Sequence, residues 1–166
     1  MGKVIYLNKG GLQMKKEVTV FDIAKAFLTM QSMTHKKLQK LCYYAQAWHL
    51  ALYKNKLFKE DFEPWIHGPV CRDLYNVYKE YGWNNIPKEE KLPDNISSEI
   101  YEFLKVVFNT YGEFTGDELE AISHSELPWR EARKGLEEWE PSVNRIIDPN
   151  IMRDYYSMVY EQSQND

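Results

Sequence analysis

Residues 34–53 read THKKLQKLCYYAQAWHLALY, and the spacing of their apolar side chains decides the fold class. Leu38, Leu41, Cys42, Ala45, Trp48, His49 and Leu52 recur at intervals of three and four, the signature of one face of an α-helix. Thr34 stands just ahead of them, where a hydroxyl can accept an orphan N–H of the first turn. Lys36, Lys37 and Lys40 fall on the opposite side with Gln39 at its edge, so the spacing predicts an amphipathic helix with a polar outer face.

Upstream, Thr19 and Asp22 have the spacing of a capping box, followed by Val20, Ile23, Ala24, Phe27 and Leu28 at helical intervals. Residues 1–18 show no clear period and read as a flexible N-terminal arm, with a short extended piece at Val4–Leu7. Downstream, Phe62-Glu-Pro-Trp-Ile66 alternates weakly and suits a small hairpin or irregular crossover, with Pro64 confining any strand to an edge. Gly68-Pro69 is read as the start of a helix carrying Val70, Leu74, Val77, Tyr78 and Tyr81, closed by Gly82. The stretch from Trp83 to Pro93 is the longest expected loop. A helix is expected from about Ile96 to Tyr111 and ended by Gly112, and Thr115 with Glu118 opens a short one. Pro128 opens another, to about Lys134, and Asp148-Pro149 opens the last, with residues 163–166 as a fraying tail. The expectation is a mainly α chain: a single compact domain of six to seven helices over 19–162, with at most a small β-hairpin.

Composition narrows the function classes. The 166 residues are 43% hydrophobic, enough to build one core without cross-links. A net charge of −4 argues against a nucleic-acid binder, leaving the Lys36, Lys37, Lys40 face as the one local basic candidate. The two cysteines fit a reducing compartment, and neither a secretory leader nor a run long enough to span a membrane is visible. The reading is a cytoplasmic protein.

Nothing in the residues points to catalysis. There is no phosphate loop, dinucleotide fingerprint or nucleophile elbow. His67 and Cys71 lie four apart, but joining Cys42 and His124 to them gives no zinc-ligand spacing, so no metal or other cofactor is expected. His49 on the apolar stripe reads as a hydrogen-bonded boundary residue.

One ordered set of local combinations carries more information. Lys37-Leu-Gln-Lys-Leu-Cys-Tyr-Tyr is followed by Trp65-Ile-His-Gly-Pro-Val70, then Tyr111-Gly112, then His124-Ser-Glu-Leu-Pro-Trp129. Over about 20–134 this resembles the Panacea domain of SocA-like antitoxins, also seen in phage-associated GepA-type proteins. The resemblance implies a bacterial or prophage-encoded antitoxin that neutralises a toxin encoded beside it by direct protein contact. It further implies delivery of the toxin to a ClpXP-type protease as a second route, and exposed aromatics leave room for a homodimer. A phage-encoded host-interaction protein and a nucleic-acid-binding regulator are the alternatives.

Most of the motif has a structural reading: Leu38, Leu41, His67, Gly68, Pro69, Val70, Tyr111, Gly112, His124, Pro128 and Trp129 suit packing, turns and helix ends. Lys37, Gln39 and Lys40 are harder to explain that way, since a helix does not need particular polar residues. With Tyr43, Tyr44 and Trp65 they are the expected partner-binding face.

Overall fold

The computed structural model describes residues 4–8, 11–15 and 17–165. Its helices are α1 (Val20–Met30), α2 (His35–Tyr53), α3 (Arg72–Tyr78), α4 (Ser98–Tyr111), α5 (Gly116–His124), α6 (Leu127–Ala132) and α7 (Pro149–Asn165). Among the described residues, strands form two antiparallel pairs, β1 (Val4–Asn8) with β2 (Gly11–Lys15) and β3 (Glu63–Trp65) with β4 (Gly68–Val70). The chain is a mainly α, single compact domain.

The caps read from the sequence are in place. Thr19 accepts the N–H of Asp22 at 3.3 Å while the Asp22 carboxylate accepts the N–H of Thr19 at 2.9 Å. Thr115 and Glu118 repeat the exchange at the start of α5. Thr34 caps α2 through the N–H of Lys37. Ser97, not singled out from the sequence, caps α4 through that of Ile100.

Three local expectations change. Gly68-Pro69 does not open a helix, because Gly68 has φ +108°, which no helical residue adopts. Instead Pro69 lies opposite Pro64 in the β3–β4 pair, and α3 begins at Arg72. At the other end, α7 runs past its last buried residue, Tyr156, through the expected tail to Asn165; the good helix formers Glu161 and Gln162 prolong it. Asp166, and residues 1–3, 9, 10 and 16 of the expected arm, lie outside the described residues, while Val4–Asn8 pairs with Gly11–Lys15. The expected long loop is pinned: Ile86 is buried, donates its N–H to Met33 at 2.7 Å and accepts from the Ser32 hydroxyl at 2.6 Å.

The largest correction concerns α2 itself. The first half of its apolar stripe is in the core, with Leu38, Leu41, Cys42 and Ala45 fully buried, whereas Trp48 and His49 are half-buried and Leu52 is exposed. On the side expected to face solvent, Gln39 and Lys40 are buried too. α1, α3, α4, α5, α7 and β4 all pack against it, so Gln39, Lys40, Tyr43, Tyr44 and Gln46 are interior. Burial obliges each polar group to find a partner. Gln39 clips β4 to α2, donating to the Cys71 carbonyl at 3.0 Å and accepting its N–H at 2.9 Å. Gln46 does the same for the segment after α2, through the Phe58 carbonyl and the Leu57 N–H. Tyr44 and Tyr156 both donate to the Glu126 carboxylate, at 2.7 and 2.9 Å, and tie α2 and α7 to the α5–α6 turn.

Candidate functional site

The motif segments, far apart in sequence, converge on one end of α2. There Lys40 runs beneath the β3–β4 turn. A side chain added at Gly68 would bring its Cβ within 2.5 Å of Lys40 Cε, so glycine is required both by this close approach and by the positive φ. Trp129, at the start of α6, donates its indole N–H to the Trp65 carbonyl at 2.9 Å and stacks on His124 with ring centres 3.9 Å apart. Arg133 donates to the Pro64 carbonyl at 2.9 Å. The α5–α6 corner therefore holds the hairpin over α2, and the Pro-Trp and Gly-Pro elements of the motif are parts of one joint.

Beside that joint lies a cavity of about 420 Å³. Lys40 and Gln39 form its floor, and Trp65, Tyr75 and Trp83 supply aromatic lining. His35, Lys36, His67 and Lys79 bring further positive or protonatable groups. Trp65 is oriented from behind: its indole N–H donates to Glu63 at 3.0 Å, and Arg72, paired in two contacts with Glu63, lies over the ring. His35 meets Tyr75 edge to face. Trp83, just beyond the Gly82 turn, is 86% exposed.

The electrostatics of the floor are unusual. Lys40 is only 1% exposed. Burial, with Lys36 adding repulsion and Glu120 a partial offset, lowers its ammonium from 10.5 to about 7. The nearest acid is already engaged: Glu120 pairs with Lys36 at 2.7 Å and meets His67 at 3.2 Å. Burial works against the Glu120 carboxylate, yet these two partners hold it below its ordinary range. Lys36 also pairs with Asp117 at 2.6 Å and is raised despite its partial burial. Unlike Lys36 and His67, Lys40 has neither a hydrogen bond nor an ion pair with any described residue.

Of the six residues expected to form a partner-binding face, Lys40 and Trp65 meet at this cavity. Gln39 reaches it only as the clip on Cys71. Lys37 is turned elsewhere, donating to the Gln31 side chain at 2.7 Å and the Gly112 carbonyl at 2.6 Å, where it closes the end of α4. Tyr43 and Tyr44 are buried on the far side, Tyr44 stacked on Tyr111 at 4.0 Å. With Lys40 interior, Lys36 ion-paired and Lys37 engaged, the basic helix face weighed for nucleic acid is not present as an open surface. Tyr75, Lys79 and Trp83 escaped the sequence reading. The one available signal was a large aromatic directly after a turn glycine, with no apolar period to bury it.

His67 and Cys71 do not join a metal-holding cluster, and no group of three or more His, Cys, Asp or Glu in such an arrangement occurs among the described residues. No described helix is long and apolar enough to cross a membrane.

Comparison with known families places residues 38–130 in the family described as antitoxin SocA-like, Panacea domain. The matched span begins at Leu38 in α2 and ends at Arg130 in α6, so it contains the joint just described apart from Arg133. No curated protein and no solved structure gives a significant match to the chain.

Proposed function

Because this chain belongs to the SocA-like Panacea-domain antitoxin family, we propose that it neutralises a toxin encoded beside it by direct protein contact, through the face around the Lys40 cavity. The observation that carries this reading is Trp83, which lines that cavity and is almost completely solvent-exposed. Exposed aromatics of this size, beside charged groups, are the residues that supply most of the energy of protein interfaces. The rigid backing supports the same reading, since α2 and the hairpin hold Lys40 and Trp65 in place before any partner arrives.

The contact serves two outcomes. Covering the toxin's active surface neutralises it outright; carrying it to a ClpXP-type protease removes it. Expression of the adjacent reading frame alone, and then together with this chain, tests the reading. Growth arrest by the neighbour, relieved by the chain and not by a Trp83→Asp variant of equal stability, is the expected result. Absence of toxicity in any neighbour overturns it. A shortened toxin half-life in the presence of the chain identifies delivery, and an unchanged one identifies blocking.

A further inference from the structure

The cavity carries more chemistry than a protein contact needs. Its lining contains Lys36, Lys40, Lys79, His35 and His67 but no Asp or Glu, in a chain with 25 acidic residues against 21 Lys and Arg. The ammonium at its floor is buried and has no partner among the described residues. A buried charge without a counter-ion costs the fold free energy, and a methionine would fill the same space without that cost. A protonated Lys40 therefore calls for a counter-charge from outside the chain, and a cavity lined by lysines and histidines without a carboxylate makes that counter-charge an anion.

The aromatic lining narrows the choice. Trp65, Tyr75 and Trp83 offer flat surfaces, and Trp65 is fixed by Glu63 and Arg72. A volume near 420 Å³ lies in the range of small-molecule sites and exceeds what a single carboxylate side chain or a free phosphate fills. A planar ring stacks on such surfaces whatever its exact substitution. A phosphate suits a lysine point charge backed by neighbouring cations.

We propose that this cavity binds a nucleoside monophosphate, with the phosphate on Lys40 and the base against Trp65, Tyr75 and Trp83. The site is a feature of the isolated chain and stands whether or not a toxin docks over it.

The test is a titration of the purified full chain with AMP and GMP, followed by tryptophan fluorescence and calorimetry, with inorganic phosphate and adenosine as separate probes. One-to-one binding of a nucleotide is expected, with tryptophan quenching and a weaker response to either probe alone. Lys40→Met loses about tenfold or more in affinity, the worth of one charge-assisted contact. Trp83→Ala, a surface change that leaves the core untouched, weakens binding without abolishing it. No binding of either nucleotide overturns the proposal, as does undiminished binding to Lys40→Met. Inorganic phosphate binding as tightly as the nucleotide reduces the site to a bare anion hole and also overturns it. Loss of toxin binding in Lys40→Met without any nucleotide binding assigns the cavity to the protein contact instead.

Discussion

Replacing Lys40 by methionine should make this protein more stable at neutral pH. The side chain is 1% exposed and its ammonium sits at about 7 instead of 10.5. At about 1.4 kcal/mol for each tenfold change in the proton equilibrium, the folded state carries a penalty of up to roughly 5 kcal/mol. The direction follows from proton counting. Below about pH 7 the amine is protonated in both states and the full penalty acts. As pH rises toward 10.5 the folded amine is neutral while the unfolded one still holds its proton, so stability climbs and the penalty disappears. Methionine keeps the unbranched shape and carries no charge. With some hydration through the cavity mouth, Lys40→Met should gain about 2–5 kcal/mol near pH 6.5, a rise in melting temperature of roughly 5–15 °C. The advantage should shrink steadily to near zero by about pH 10.5. Paired urea unfolding curves for the two proteins at intervals across this range measure it. Lys36, Glu120, His35 and His124, which surround the site, are present in both proteins, so their own contributions largely cancel in the difference. A variant less stable than the parent at pH 6.5, or a gain that does not change with pH, would refute the reasoning.

Gly68→Ala should cost about 2–4 kcal/mol, since the backbone is at φ +108° and the new methyl lands on Lys40 Cε. Shortening that neighbour in a Gly68→Ala, Lys40→Ala double variant should recover the steric part in a double-mutant cycle and leave the backbone part. Gln39→Leu strands the N–H and carbonyl of Cys71 in the interior and should cost about 2–5 kcal/mol by urea unfolding. Burial raises the Glu126 carboxyl above its ordinary value, with hydrogen bonds from Tyr44 and Tyr156 only partly offsetting it. The folded state therefore favours the protonated acid, so this group's contribution is greatest at low pH and falls as pH rises through the folded value. Glu126→Gln keeps an acceptor for both tyrosines and should gain on the parent as pH rises from 4 to 8 in thermal melts, whereas a constant difference would exclude Glu126 as the titrating group.

Helix existence was legible because caps and apolar spacing are local. Thr19, Thr34 and Thr115 each satisfy an N–H within three residues. Burial of the second face of α2 was not legible. The Lys36, Lys37, Lys40 pattern is that of a solvated surface, and only the placement of the β3–β4 hairpin and α5 over it makes Lys40 interior. The same non-local packing turned Gly68-Pro69 from a helix start into a strand. Its glycine is there for the close passage of Lys40, a contact between residues 28 positions apart in the chain. Trp65, Lys40, His67 and Val70 were identifiable from the motif, but Tyr75, Lys79 and Trp83 join them only through the path of α3 and its closing turn.

Direct contact with a toxin through the mouth of the Lys40 cavity is tested most simply by calorimetric titration of this chain with the purified product of the adjacent toxic reading frame. A saturable complex is predicted, with Trp83→Ala weakening it by about 2 kcal/mol, or roughly thirtyfold, at unchanged stability. Failure of the two proteins to bind, or a Trp83→Ala variant that binds as tightly as the parent, would contradict it.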